Sequence, residues 1–82
     1  MIKIFFFAQL REMLNLEMLE FPMADVMTVV EIKQELADKG GHWALMFTDK
    51  DLLVAVNQVI RDDEYIVKLG DEVAFFPPVT GG

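Results

Sequence analysis

The spacing of hydrophobic residues predicts five short strands and one main helix. Residues 2–8 are almost all β-branched or aromatic, which is typical of a central strand covered on both faces. Residues 16–21 alternate apolar and acidic side chains with one slip, and they predict a second, antiparallel strand that ends at Pro22. The connection over residues 9–15 shows no clear period, so its type stays open.

The main helix is predicted to begin after Thr28. Thr28 and Glu31 have the spacing of a capping box, in which each side chain accepts a hydrogen bond from the other residue's backbone amide. The apolar side chains on one face of this helix are those of Val29, Ile32 and Leu36, with the stem of Lys33 beside them. The helix is expected to end at Lys39, where Gly40-Gly41 would supply a left-handed C-cap. Residues 43–47 predict a short second helical turn.

The second half of the chain predicts the rest of a mixed sheet. Further strands are expected at residues 52–56, 59–60 and 72–76. Asn57-Gln58 and Gly70-Asp71 are turn sequences, and residues 62–69 are expected to form an irregular or one-turn stretch. The connection between the first and last strands is too long for a hairpin, so these strands can pair in parallel. The expected fold class is an α+β roll with its sheet packed on the main helix.

Composition narrows the classes of function. Eighty-two residues form one small domain, expected at residues 1–76, with a short tail over residues 77–82. The net charge of −7 argues against nucleic acid as a partner. It fits equally a partner protein with a positive docking face and an acidic surface that serves only solubility. No apolar run approaches the roughly 20 residues of a membrane span, and no signal-peptide pattern opens the chain, so a cytoplasmic protein is expected.

Side chains offer little catalytic chemistry. The chain has no cysteine, which excludes disulfides, thiolate zinc sites and cysteine nucleophiles. No glycine-rich phosphate loop is present, because Gly40-Gly41 lacks the flanking residues of one. The carboxylates of Asp49 and Asp51, and those of residues 62–64, match no metal-binding loop and are expected in solvated turns. No metal site is therefore predicted.

The C-terminal tail is the most distinctive segment. Pro77 and Pro78 favour an extended arm, and residues 77–82 could reach roughly 20 Å at about 3.3–3.6 Å per residue. Gly81-Gly82 places no side chain before the terminal carboxylate, so the tip could thread a narrow channel. The carboxylate is a poor electrophile, and a separate enzyme would have to activate it with ATP as an acyl-adenylate. The alternative is a frayed terminus without function.

Three segments of the chain are distinctive: residues 70–82 (GDEVAFFPPVTGG), residues 6–12 (FFAQLRE) and residues 52–58 (LLVAVNQ). Together they resemble the family of molybdopterin synthase small subunits. The resemblance implies a ubiquitin-like β-grasp fold and a non-catalytic sulfur carrier that binds no cofactor. An adenylating enzyme would use ATP on Gly82, and a sulfur relay would make its thiocarboxylate. The carrier would then insert its tail into the large synthase subunit, in a heterotetramer of two small and two large subunits, and donate sulfur to a pyranopterin.

The resemblance also assigns roles to single residues. Gly82 is the reactive residue, and the inserted tail comprises Pro77, Pro78, Val79, Thr80 and Gly81. The apolar partner interface maps to Phe7, Ile60 and Phe76, for which simple core packing is the alternative. Three other functions stay open: a sulfur carrier for thiamine or another pathway, a ubiquitin-like protein modifier, and a plain interaction domain.

Overall fold

Parallel pairing of the first and last strands organises the computed structural model, which describes residues 1–78. The strands are β1 (Ile2–Phe6), β2 (Met18–Phe21), β3 (Met27–Thr28), β4 (Leu53–Val56), β5 (Val59–Ile60), β6 (Ile66–Val67) and β7 (Glu72–Phe76). The helices are α1 (Gln9–Leu14), α2 (Val29–Ala37) and α3 (Gly41–Phe47). The main sheet has the order β2-β1-β7-β4-β5. Only the β1–β7 pair in this sheet is parallel, which the long connection between these strands allows, so the sheet is mixed.

Alternation along the strands separates an inner face from an outer face. The inner side chains form one buried cluster with the apolar face of α2: Ile2, Ile4, Phe6, Val54, Val56, Val73 and Phe75 from the sheet, and Val29, Ile32 and Leu36 from the helix. Phe47 of α3 meets the rings of Phe6 and Phe75 edge-on, with centroids 6.1 and 5.1 Å apart. Each such ring stabilises the fold by about 1.5–3 kcal/mol when it is fully buried. The helices therefore cover one side of the sheet.

The predicted capping box at the start of α2 is confirmed. The Glu31 amide donates to Thr28 Oγ1 at 3.3 Å, and the Thr28 amide donates to Glu31 Oε1 at 2.8 Å. The predicted end at Lys39 is wrong, because α2 ends at Ala37. Gly40-Gly41 has the expected positive φ, 79° and 56°, but it begins α3 and does not cap α2. A tight turn closes α2 first, with the Lys39 amide donating to the Leu36 carbonyl.

Lys33 links α2 to the loop before β6. Its stem lies on the buried face, as expected, and its side chain is 7% exposed. Its Nζ donates to Asp63 Oδ1 at 2.7 Å and to the Leu52 carbonyl at 3.5 Å. The buried ammonium therefore has a charged partner, as a charge that is nearly removed from water requires.

Several short elements differ from the sequence prediction. Residues 9–15, for which the sequence predicts no element type, contain α1, and β2 begins at Met18 and not at residue 16. Residues 62–69 are not wholly irregular, because β6 pairs with β3 in a second, two-stranded sheet. Two-residue strands are too short to show a period, and this pairing joins residues about 40 positions apart, such as Met27 and Val67.

Candidate functional site

The base of the tail lies where β7 ends. Phe76 is the last residue of β7, and Pro77 and Pro78 follow it, both half-buried. Prolines have no amide hydrogen, so the β-ladder has no donor at these positions. Gly82, Gly81, Thr80 and Val79, the other predicted tail residues, lie outside the described part of the chain. The domain boundary at residue 76 and the extended arm beyond it stay predictions.

The outer face of the main sheet carries an apolar row that crosses all five strands. Its members, in order, are Met18, Phe5, Ala74, Ala55 and Ile60, each one the cross-strand partner of the next. Leu53 and Phe76 form the next row toward the base of the tail. A charged row of Glu20, Lys3 and Glu72 lies at the other end. The outer face is thus apolar at the end from which the tail leaves.

The three predicted interface residues lie on or beside this apolar region. Ile60 ends the apolar row and is 58% exposed, whereas Phe76 is half-buried. Phe7 is 47% exposed and follows β1, and its amide donates to the Phe75 carbonyl at 3.2 Å. The Phe7 side chain lines a hollow of about 210 Å³ together with Phe5 and Ala74. The exposure of Phe7 and Ile60 excludes simple core packing for these two, and contact with a partner stays a prediction.

A strained residue turns the chain from Phe7 into α1. Ala8 has φ 54° and ψ −129°, a combination that glycine tolerates and alanine rarely adopts. Its carbonyl accepts a hydrogen bond from the Glu12 amide at 3.2 Å, so it begins the helix. The turn carries the chain from the sheet to the helical side. Nothing in the sequence signals it, because alanine does not favour this conformation.

A groove lies beside the base of the tail on the helical side of the sheet. We call it the tail-base groove, and it is lined by Gln9, Met13, Leu45, Met46, Asp49, Pro77 and Pro78. Its volume is about 680 Å³, and the buried side chains of Leu10 and Leu52 also line it. Met13 is 38% exposed and Leu45 is 67% exposed. The base of the tail therefore has the outer face on one side and this groove on the other.

Asp49, Asp51 and the acidic residues 62–64 lie in surface turns. Asp49 Oδ1 accepts a hydrogen bond from the Asp51 amide at 2.9 Å, and Asp62 Oδ1 accepts one from the Glu64 amide at 3.0 Å. Within residues 1–78, no three histidine or carboxylate side chains are grouped to hold a metal ion. Over the same residues, every helix is too short or too polar to cross a bilayer.

Comparison with known proteins gives consistent matches along the chain. Residues 4–82 match the ThiS family. Two proteins described as "Molybdopterin synthase sulfur carrier subunit" are similar over 82 residues, which is 100% of both chains in each case: one from Haemophilus influenzae at 45% identity and one from Escherichia coli at 48%. The crystal structure of SAMP1 from Haloferax volcanii has a TM-score of 0.77 and 26% identity, covering 99% of this chain and 98% of that chain. The predicted β-grasp fold is confirmed.

Proposed function

Because the chain belongs to the ThiS family, we propose that it is the sulfur carrier of molybdopterin synthesis and works through the carboxylate of Gly82. The observation that carries this proposal is identity of 45–48% over the full length of two named sulfur carrier subunits. The carrier itself has no active site and binds no cofactor, and it operates in the cytoplasm.

The chemistry takes place on the main chain at Gly82. One carboxylate oxygen attacks the α-phosphate of ATP held by a separate adenylating enzyme, which expels pyrophosphate and leaves an acyl-adenylate. Sulfide (HS⁻), delivered by a separate relay, then attacks the acyl carbon, displaces AMP and loses its proton, so the product is a thiocarboxylate. The thiocarboxylate sulfur attacks a carbon of the cyclic pyranopterin monophosphate and displaces an oxygen substituent, which leaves a thioester between Gly82 and the pterin. Water then cleaves the acyl C–S bond of this thioester, so the sulfur stays on the pterin and the carboxylate of Gly82 is restored. Two successive carriers supply the two sulfurs of the dithiolene.

The rest of the molecule positions this terminus. The apolar end of the outer face, with Phe7, Ile60 and Phe76, docks on the large synthase subunit in a heterotetramer of two small and two large subunits. Burying these side chains supplies affinity, while Pro77 and Pro78 reduce the entropy lost when the tail becomes ordered. Val79, Thr80 and Gly81 carry Gly82 into the channel.

Intact mass spectrometry tests the proposal. The carrier is incubated with ATP, its adenylating enzyme and a sulfur source, and we expect the mass gain of one oxygen replaced by sulfur. A variant that lacks Gly82 should show no gain, although its unfolding midpoint should equal that of the full chain. If the full chain gains no sulfur while a second carrier does so with the same enzyme, the proposal is wrong. Capture of a thiazole synthase in place of the pterin-binding subunit would favour the thiamine alternative.

A protein-modifier role is the second candidate. It is favoured by the structural similarity to SAMP1, whose name denotes a small archaeal modifier protein. A modifier would leave Gly82 joined to lysine amines of target proteins. Digestion of total protein from cells that express the chain would then yield branched peptides, and their absence from cells with active molybdopterin synthesis would exclude this role.

A further inference from the structure

We propose that the tail-base groove is a second docking surface for the large synthase subunit, and that it receives an apolar side chain flanked by a basic residue. This proposal rests on the proposed function, because it assumes that the large subunit receives the tail. It adds a contact on the helical side of the sheet, away from the outer face on which Phe7, Ile60 and Phe76 lie.

The groove has the walls and the apolar lining of a binding pocket for a side chain. Its walls come from α1, from α3 with the segment after it, and from the two prolines at the base of the tail. Leu10 is fully buried and Leu52 is 7% exposed, so these two side chains are fixed by the core. Met13 and Leu45 expose apolar surface beside them. An apolar side chain placed here would lose its contact with water and gain packing on several sides.

The position of the groove beside the tail indicates which partner protein occupies it. Pro77 and Pro78 form part of its wall. Under the proposed function, the tail that follows them enters the large subunit. A protein that encloses the tail must therefore approach the prolines from both sides. On the sheet side it meets the apolar row that ends at Ile60, and on the helical side it meets Leu45 and Met13. The docking surface thus continues around the base of the tail.

Two further points favour the large subunit over the adenylating enzyme. The relatives at 45–48% identity are named as subunits of a synthase, so the synthase is the lasting assembly. Lasting interfaces are larger and more apolar than transient ones, and a groove in addition to the outer face adds apolar area. Asp49 is the only charged residue among those that line the groove within residues 1–78. In a chain of net charge −7 it favours a lysine or arginine next to the inserted side chain.

The test is Leu45→Asp, measured as the affinity of the full-length carrier for the large subunit. Leu45 is 67% exposed, so the variant should fold, and its unfolding midpoint verifies this. The matched control is Leu69→Asp. Leu69 is 55% exposed and precedes β7, at the end of that strand opposite the tail. We expect Leu45→Asp to weaken the complex by at least about tenfold, because a carboxylate would be buried beside Asp49. Leu69→Asp should stay within about twofold of the unchanged chain.

Phe7→Ala separates this inference from the proposed function. If Phe7→Ala weakens the complex and Leu45→Asp does not, the groove proposal is wrong and the sulfur carrier proposal stands. If Leu45→Asp leaves the large subunit bound but abolishes the mass gain with the adenylating enzyme, the groove belongs to that enzyme and our assignment is wrong. If Leu45→Asp and Leu69→Asp weaken the complex equally, the effect is general charge repulsion, which also overturns the proposal. If the unchanged carrier does not bind the large subunit at all, the proposed function itself fails.

Discussion

The ion pair between Lys33 and Asp63 should show a strong asymmetry between its two partners. Removing the carboxylate with Asp63→Ala leaves a 7% exposed ammonium whose only other acceptor among the described residues is the Leu52 carbonyl at 3.5 Å. Removing the ammonium with Lys33→Met leaves a carboxylate that is 51% exposed and can be hydrated. Asp63→Ala should therefore be the more damaging change, although both variants break the same bond.

The structure also sets the size of the effect. Breaking a fully buried ion pair costs about 3–5 kcal/mol, and the half-exposed carboxylate reduces this by screening, so we expect about 2 kcal/mol for Asp63→Ala. In a domain of this size that loss lowers Tm by about 10 °C. Methionine keeps most of the buried stem of Lys33 and needs no charge partner, so Lys33→Met should cost less than about 1 kcal/mol.

Urea unfolding at neutral pH measures these differences, with calorimetry as the check on Tm. The double variant should be about as stable as Lys33→Met alone, because removing the carboxylate costs little once the ammonium is gone. If Lys33→Met were the more destabilising single change, or if the two losses were additive, the ion pair would not have the role assigned to it.

Three smaller perturbations test other parts of the fold. Ala8→Gly should raise the free energy of unfolding by about 1 kcal/mol, because glycine adopts φ 54° and ψ −129° without strain; an unchanged urea midpoint would contradict this. Gln58→Gly should add about 0.5–1 kcal/mol, since Asn57 and Gln58 have φ 52° and 71° and the Asn-Gly pair suits such a hairpin; a loss in the same assay would count against it. Hydrogen bonds from the Thr28 amide and, second, from its hydroxyl lower the pKa of the Glu31 carboxyl below 4.5. The stability that these hydrogen bonds contribute is therefore complete above pH 4.5 and is lost as the pH falls through the lower native pKa. Glu31→Gln should therefore flatten the dependence of unfolding free energy on pH below about pH 4.5, and two parallel curves there would refute the assignment.

Local signals predicted the main elements of the fold. The start of α2 was found because Thr28 and Glu31 interact within one turn, and the β4–β5 hairpin because Asn57-Gln58 is a recognisable turn. The element order allowed a parallel pairing of β1 and β7 but did not establish that these strands are neighbours, which the structure shows. By contrast, α1 has six residues with only Leu10 buried, too few for a helical period. The β3–β6 pair depends on contacts between distant segments, which a local pattern does not contain.

The candidate site was predictable in part. The roles of Phe7, Ile60 and Phe76 came from the family resemblance, and the structure adds the strand register that places Ile60 on an apolar row of the outer face. That row could not be read from the sequence, because it depends on the alignment of five strands. The tail-base groove joins side chains from three distant segments, so it too is visible only in the folded chain.

Transfer of labelled sulfur tests the central claim most directly. The carrier would be loaded with isotopically labelled sulfur at Gly82, freed of ATP, adenylating enzyme and sulfur source, and mixed with the large subunit and the pyranopterin substrate. We predict that the label moves to the pterin in proportion to the loaded carrier, while the carrier returns to its original mass. Formation of the dithiolene while the label stays on Gly82 would contradict the claim that this chain acts through its own terminus.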